Sequence, residues 1–264
     1  MIFLPIFLAK TPRTFGSRAP RSQRSNSIFL PESQKISGNN PLLMFPNKSF
    51  LLLLLFLSVQ MFVFANDVFD FPVTGSNQAR YNEICAQLSR QPLVKGTFEQ
   101  TKTISRLGRS LNSRGNFIIA AELGMVWETL SPFPSTMAVG SDFIIQIAPN
   151  GAKSRLDAQG NETFTSLADT ISAVFTGNSR ILTEKFDNYF TENRQNGTWT
   201  VGLIPKDNAV RIFAEKIVLS GRNNPVVITT IEIHSQNGDV IRYTLQNHRF
   251  PASLTNDEKA LFSL

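Results

Sequence analysis

The sequence predicts a mainly β, α+β domain: a single antiparallel sheet of ten or eleven strands bent toward a barrel, with helices against its concave side or mouth. Three observations predict it. Apolar/polar alternation of period two recurs in about ten segments after position 93. Short turn signals separate those segments, and Asn196-Gly197 and Asn237-Gly238 are the strongest of them. Helical spacing is confined to a few stretches, and no long parallel crossover separates the strands. A sheet of that length within one domain must curl or close.

The elements follow in order. SNQARYNEICAQLSRQP spaces Tyr81, Ile84, Cys85 and Leu88 at i, i+3, i+4 and i+7, which is one apolar helix stripe. Ser76 or Asn77 can cap its start, and Pro92 lies beyond its end. VKGTFEQTKTIS then alternates, with Phe98, Gln100 and Lys102 on one face. GNFIIAAE sets Phe117, Ile119 and Ala121 on one face, and GMVWETL does the same for Met125, Trp127 and Thr129. STMAVG and SDFIIQIAPNG follow, turned by Gly140-Ser141 and closed by Asn150-Gly151. Met137, Val139, Phe143, Ile145 and Ile147 are expected on faces of matching kind. ETFTSLADTISAVFTG breaks the pattern: Phe164, Leu167, Ile171, Val174 and Phe175 have helical spacing, and Gly177 is the stop. NSRILTEKF adds another turn or so of helix. Alternation returns in KFDNYFTEN, GTWTVGLIPK, EKIVLSG, PVVITTIEIHS and DVIRYTLQNHRF, and a short capped segment from Thr255 to Phe262 ends the chain.

The net charge of +6 suggests an anionic partner, but it is unevenly placed. Residues 1–65 hold seven basic residues and one acid, leaving 19 basic and 19 acidic residues after position 65. The rest is neutral and lacks a basic strand face, so nucleic-acid binding is not expected. Residues 1–43, rich in Pro, Ser, Arg and Asn, read as an over-extended start or a disordered leader without a fold. Residues 44–65 read as a signal peptide. Met44 stands before Lys48, the run from Phe50 to Phe64 has 15 residues against about 20 for a membrane span, and Val63-Phe64-Ala65 offers a cleavage site. An uncleaved anchor is the alternative. Residues 66–264 are then expected to form one exported domain in the periplasm. Its single cysteine, Cys85, allows no internal disulfide, so core and sheet must hold it.

Catalytic signatures are missing: there is no G-x-x-x-x-G-K-[ST], no G-x-S-x-G and no H-E-x-x-H. His234 and His248 read as surface or edge residues, and Glu122 and Glu128 as solvated strand-end charges. No enzyme activity, cofactor or metal is expected. The candidate site is apolar instead. From the sheet it comprises Phe98, Phe117, Ile119, Met125, Trp127, Met137, Val139, Phe143 and Ile145. From the helices it comprises Ile84, Leu88, Leu167, Ile171, Val174 and Phe175. These side chains either line a space kept for an acyl chain or pack against one another.

The block from Phe98 to Gly140 resembles the LolA-type outer-membrane lipoprotein carriers. The matching pieces are F-E-Q-T-K from Phe98, G-N-F from Gly115, G-M-V-W-E-T-L-S-P from Gly124 and G-S-D-F-I from Gly140. Leu203 to Lys206, Ile231 to Ile233 and Gly238 to Ile241 look like that family's last strands. The resemblance implies an unclosed β-barrel with a helical lid over an apolar cavity. It also implies a periplasmic, monomeric chaperone that takes lipoprotein acyl chains from an inner-membrane release transporter to an outer-membrane receptor. Another envelope lipid on the same scaffold, or a non-lipid interaction module with a solid core, are the alternatives. One departure stands out. The arginine that such carriers often place some six residues before the tryptophan is absent from Ala120-Ala121-Glu122.

Overall fold

The computed structural model describes residues 67–157 and 170–263. The leader, the signal peptide and Leu167 lie outside them. Among the described residues no helix is long and apolar enough to cross a membrane.

Eleven strands form one antiparallel sheet. They are β1 (Leu93–Ile104), β2 (Arg109–Ala120), β3 (Gly124–Ser131), β4 (Ser135–Val139), β5 (Phe143–Ile147) and β6 (Lys153–Asp157). The second series is β7 (Phe186–Asn193), β8 (Thr198–Pro205), β9 (Lys216–Arg222), β10 (Val227–His234) and β11 (Val240–Arg249). Their order is β6-β5-β4-β3-β2-β1-β11-β10-β9-β8-β7. Two meanders are thus joined where β1 pairs with β11. β6 and β7 are not paired with each other, so the barrel is unclosed.

That order decides where the helices go. The chain leaves the sheet at one edge, β6, and re-enters at the other, β7. Its described part on the way, helix α2 (170–176) and α3 (Ser179–Lys185), lies on the inner face, where Ala173, Val174, Phe175 and Leu182 join the main core. Helix α1 (Gln78–Ser89) packs beside them through Tyr81, Ile84 and Cys85. The expected C-terminal stop at Gly177 is present. Its φ of +64° is a conformation that favours glycine, and a Cβ there would stand 2.8 Å from the Cys85 carbonyl oxygen. The same glycine therefore ends α2 and lets it meet α1. Ser89 Oγ completes the join by donating to the Thr176 carbonyl at 2.7 Å, one of the helix-end acceptors that would otherwise lack a partner.

The opposite face of the sheet carries a second, smaller core. Leu93, Ile118, Ala120, Val126, Ala138 and Ile145 are covered there by Leu254 and Phe262 of the C-terminal tail. Helix α5 (Asn256–Lys259) in that tail has a full capping box between Thr255 and Glu258. Lys95 Nζ bonds Glu258 at 2.6 Å, and Lys153 Nζ donates to the carbonyls of Ala260 and Ser263. The tail is strapped to the sheet at both β1 and β6.

Three features differ from the sequence expectation. KSRLD forms β6, although its polar run offers no alternation to read. β2 begins at Arg109, six residues before the apolar GNF, so the β1–β2 hairpin is long. A one-turn helix, α4 (Asn208–Arg211), stands between β8 and β9.

Candidate functional site

The inner face is built around Trp127. Its ring stacks on Phe98 with centroids 4.2 Å apart and lies 6.0 Å from Phe117. Tyr243 meets it edge-on at 5.2 Å, and Phe175 of α2 closes over it at 6.3 Å. These contacts follow from register. Phe117 pairs with Trp127, Phe98 with Gly115, and Gln100 with Tyr243, so their side chains emerge on one face. Gly115 leaves the room in which Phe98 reaches Trp127.

Most of the candidate residues share this face. Phe98, Phe117, Ile119, Met125, Trp127 and Val139 are in the main core, together with Ile84, Val174 and Phe175. Met137, Leu88 and Ile171 are half-buried against it. Phe143 and Ile145 are not there: both belong to the opposite face, beneath Leu254 and Phe262. The pairing of Val139 with Ile144 is the reason. It sends Ile144 inward and its two neighbours outward, a one-residue offset that the strand's own periodicity leaves open. Leu167 lies outside the described residues.

The site is larger than the sequence pattern suggests. The second meander supplies Phe186, Phe190, Trp199, Val201, Leu203 and Leu219 to the same core. Their signal, alternation in TWTVGLIPK and EKIVLSG, is plain in the sequence. What hid them was the absence of any cue that the two meanders enclose one space.

The described residues leave small cavities in that space. A cavity of about 90 Å³ lies between α2 and the β2–β3 and β4–β5 turns. Ile119, Met125, Val139, Ile171 and Phe175 give it apolar walls, and Glu122, Ser141, Ser172 and Thr176 stand among its polar wall residues. A smaller one of about 30 Å³ is lined by Phe175, Ile119, Leu88 of α1, Val227, Leu245 and His248. Both are far below the roughly 300–1,000 Å³ of sites that enclose a drug-sized ligand. Ile119, Phe175 and Thr176 line both cavities, and two of the three belong to α2.

His248 is not the plain surface residue expected. Its ring meets Phe117 at 5.8 Å, and its Nε2–H donates to the Ile228 carbonyl at 2.9 Å. Burial holds its pKa below the ordinary histidine range, and Arg222 adds to that. The imidazole is therefore neutral at pH 7. The unfolded chain takes up the proton first as pH falls, so stability is lost from about pH 6.5 downward through the folded-state pKa. His248→Gln is expected to flatten that limb of a denaturation profile recorded between pH 7.5 and 5. An unchanged limb would refute the assignment.

At the rim of the inner face, Arg80 of α1 bonds Glu192 of β7 at 2.6 Å and reaches Asn223. The Arg80 guanidinium holds the Glu192 carboxyl below its usual range. Tyr81 donates to Asn188 Oδ1 at 2.8 Å, so α1 is fixed to the second meander by two polar contacts. Among the described residues no cluster of three or more His, Cys, Asp or Glu could hold a metal ion.

A family model described as outer membrane lipoprotein carrier protein LolA-like matches residues 75–264. No curated protein matches the chain. Similar solved structures include an uncharacterized conserved protein from Thermus thermophilus, at 9% identity and a TM-score of 0.43, covering 68% of this chain and 93% of that one. A LolA superfamily protein from Nitrosomonas europaea has 8% identity and a TM-score of 0.38, covering 67% and 96%. MucB of Pseudomonas aeruginosa, solved with MucA, has 14% identity and a TM-score of 0.41, covering 69% and 59%.

Proposed function

The chain belongs to the LolA-like outer membrane lipoprotein carrier family, and from that premise we propose that it is an envelope carrier that shelters acyl chains of lipoproteins. The observation that carries the reading is the apolar inner face with Phe175 of α2 in the walls of two small cavities. Each CH₂ withdrawn from water contributes about 0.8 kcal/mol, so a long chain needs no polar contact to be held. The described state is the closed one, and cargo enters by displacing α2 from the Trp127 cluster. Release then depends on a partner that offers an equally apolar surface. The signal-peptide reading of residues 44–65 supports action in the periplasm, between an inner-membrane donor and an outer-membrane acceptor.

A second reading keeps the scaffold and changes the cargo. Where many carriers have an arginine, this chain has Ala120-Ala121-Glu122, and the structure sets that segment at the mouth of the larger cavity. A carboxylate there favours a lipid with an uncharged or cationic polar end.

Titration of the purified protein with a fluorescent fatty acid tests the common premise. Saturable binding in the micromolar range is expected, weakened about tenfold or more by Phe175→Glu. Mass spectrometry of organic extracts separates the two cargoes, since lipoprotein fragments support the first reading and other acylated lipids the second. No saturable binding, or binding indifferent to Phe175→Glu, would sink both.

A further inference from the structure

The β1–β2 hairpin runs past the strands beside it. β3 follows β2 only as far as Arg114, opposite Ser131, and β11 follows β1 only to Thr103, opposite Val240. Residues 105–112 are all exposed. From Thr101 to Asn112 the two faces of the hairpin differ. One face is a ladder of small polar groups, in which Thr101 Oγ1 donates to Asn112 Oδ1 at 3.0 Å and Thr103 bonds Ser110 at 3.3 Å. The other pairs a cation with an apolar side chain twice, Lys102 with Leu111 and Ile104 with Arg109. The one-turn tip adds Arg106 and Leu107. Leu107 and Leu111 are each 57% exposed. From residue 100 to 113 the chain has Lys102, Arg106 and Arg109 and no acid, while Arg114 stands on the other face opposite Glu99. None of the three is ion-paired among the described residues; Asp239 of the adjoining turn accepts from the Ser105 amide and from Asn237 instead.

We propose that this face of the hairpin tip docks on an anionic phospholipid surface. The chemistry is that of a bilayer interface. Arginine and lysine heads meet phosphates while their stems lie along apolar surface, and the leucines between them enter the acyl boundary. The alternation of cation and apolar group suits a flat, laterally uniform anionic layer. The separate cross-strand ladder on the other face keeps the hairpin paired while its working face is in lipid. The tip is at the end of the sheet away from the β2–β3 turn and the cavities, so it contributes attachment rather than cargo binding. It can therefore fail without affecting the acyl-chain reading, and the reverse.

A label at the tip tests this on the full chain. Cys85 is buried, so Leu107→Cys can be modified selectively with an environment-sensitive fluorophore. The label reads its own surroundings, whatever other segments do on lipid. With vesicles of one part phosphatidylglycerol to three of phosphatidylcholine, a blue shift and quenching by a lipid-borne quencher are expected. Both are expected to vanish in molar salt. Arg106→Glu with Arg109→Glu should weaken the response roughly fivefold per arginine, and Leu111→Asp should weaken it further without changing the melting temperature. No shift on anionic vesicles, an equal shift on pure phosphatidylcholine, or indifference to charge reversal would each overturn the proposal.

Discussion

Trp127→Ala is expected to lower the free energy of unfolding by about 3–5 kcal/mol, read from chemical denaturation. Trp127 joins four elements of the site. It stacks on Phe98 of β1, pairs with Phe117 of β2, meets Tyr243 of β11 and lies under Phe175 of α2. Few buried residues join four elements at once, so the gap left behind has little freedom to collapse. That gives the variant a second signature. The vacancy lies beneath α2, beside the two existing cavities, and should raise the uptake of apolar dye above that of the parent. A loss below about 1 kcal/mol, or no gain in dye uptake, would show that the cluster is loosely packed and that the inner face is already open.

Gly115→Ala is the second large effect. A Cβ at Gly115 would overlap the Glu128 carbonyl oxygen, with the Phe98 ring 2.9 Å away. The reason is a register shift. Arg114 opposes Ser131 but Gly115 opposes Thr129, so β3 carries an extra residue there and its backbone presses toward β2. Glycine is needed for space, not for an unusual φ. Backbone oxygen cannot swing aside as a side chain does, so a penalty of about 3 kcal/mol is expected, at the high end for overpacking by one methyl. Asn116→Ala next door, which removes the bond from Asn116 to Glu128, should cost about 1 kcal/mol. Similar melting temperatures for the two variants would refute the steric account.

Much of the sheet was legible because alternation has one cause, a half-buried pleat. The stretches holding Phe98, Phe117 and Trp127 show it clearly, and each faces the core as read. Face assignments failed across a turn rather than within a strand. Phe143 and Ile145 do alternate, but only the Val139–Ile144 pairing says which set points inward. β6 was illegible for a different reason: an edge strand with mostly exposed residues need not be apolar on either face. The same holds for the first half of β2, RSLNSR, whose pairing partner is the equally polar end of β1. The small size of the cavities could not be read at all. Apolar side chains that line a space and those that fill it have the same sequence pattern, and Trp127 turned out to be packed on four sides.

The seam between β1 and β11 has a consequence for how the chain is made. Asn247 bonds Thr97 across 150 residues of sequence. β1 is therefore an interior strand of the finished sheet but an open edge until nearly the last residues have emerged. A chain delivered from its N-terminus can form the first meander early, yet that meander must wait with one edge unpaired and its inner face uncovered by the second. Such a state is slow to complete and exposed to wrong pairing. The fold that ends with one covered apolar face must therefore pass through a stage in which half of that face lies bare.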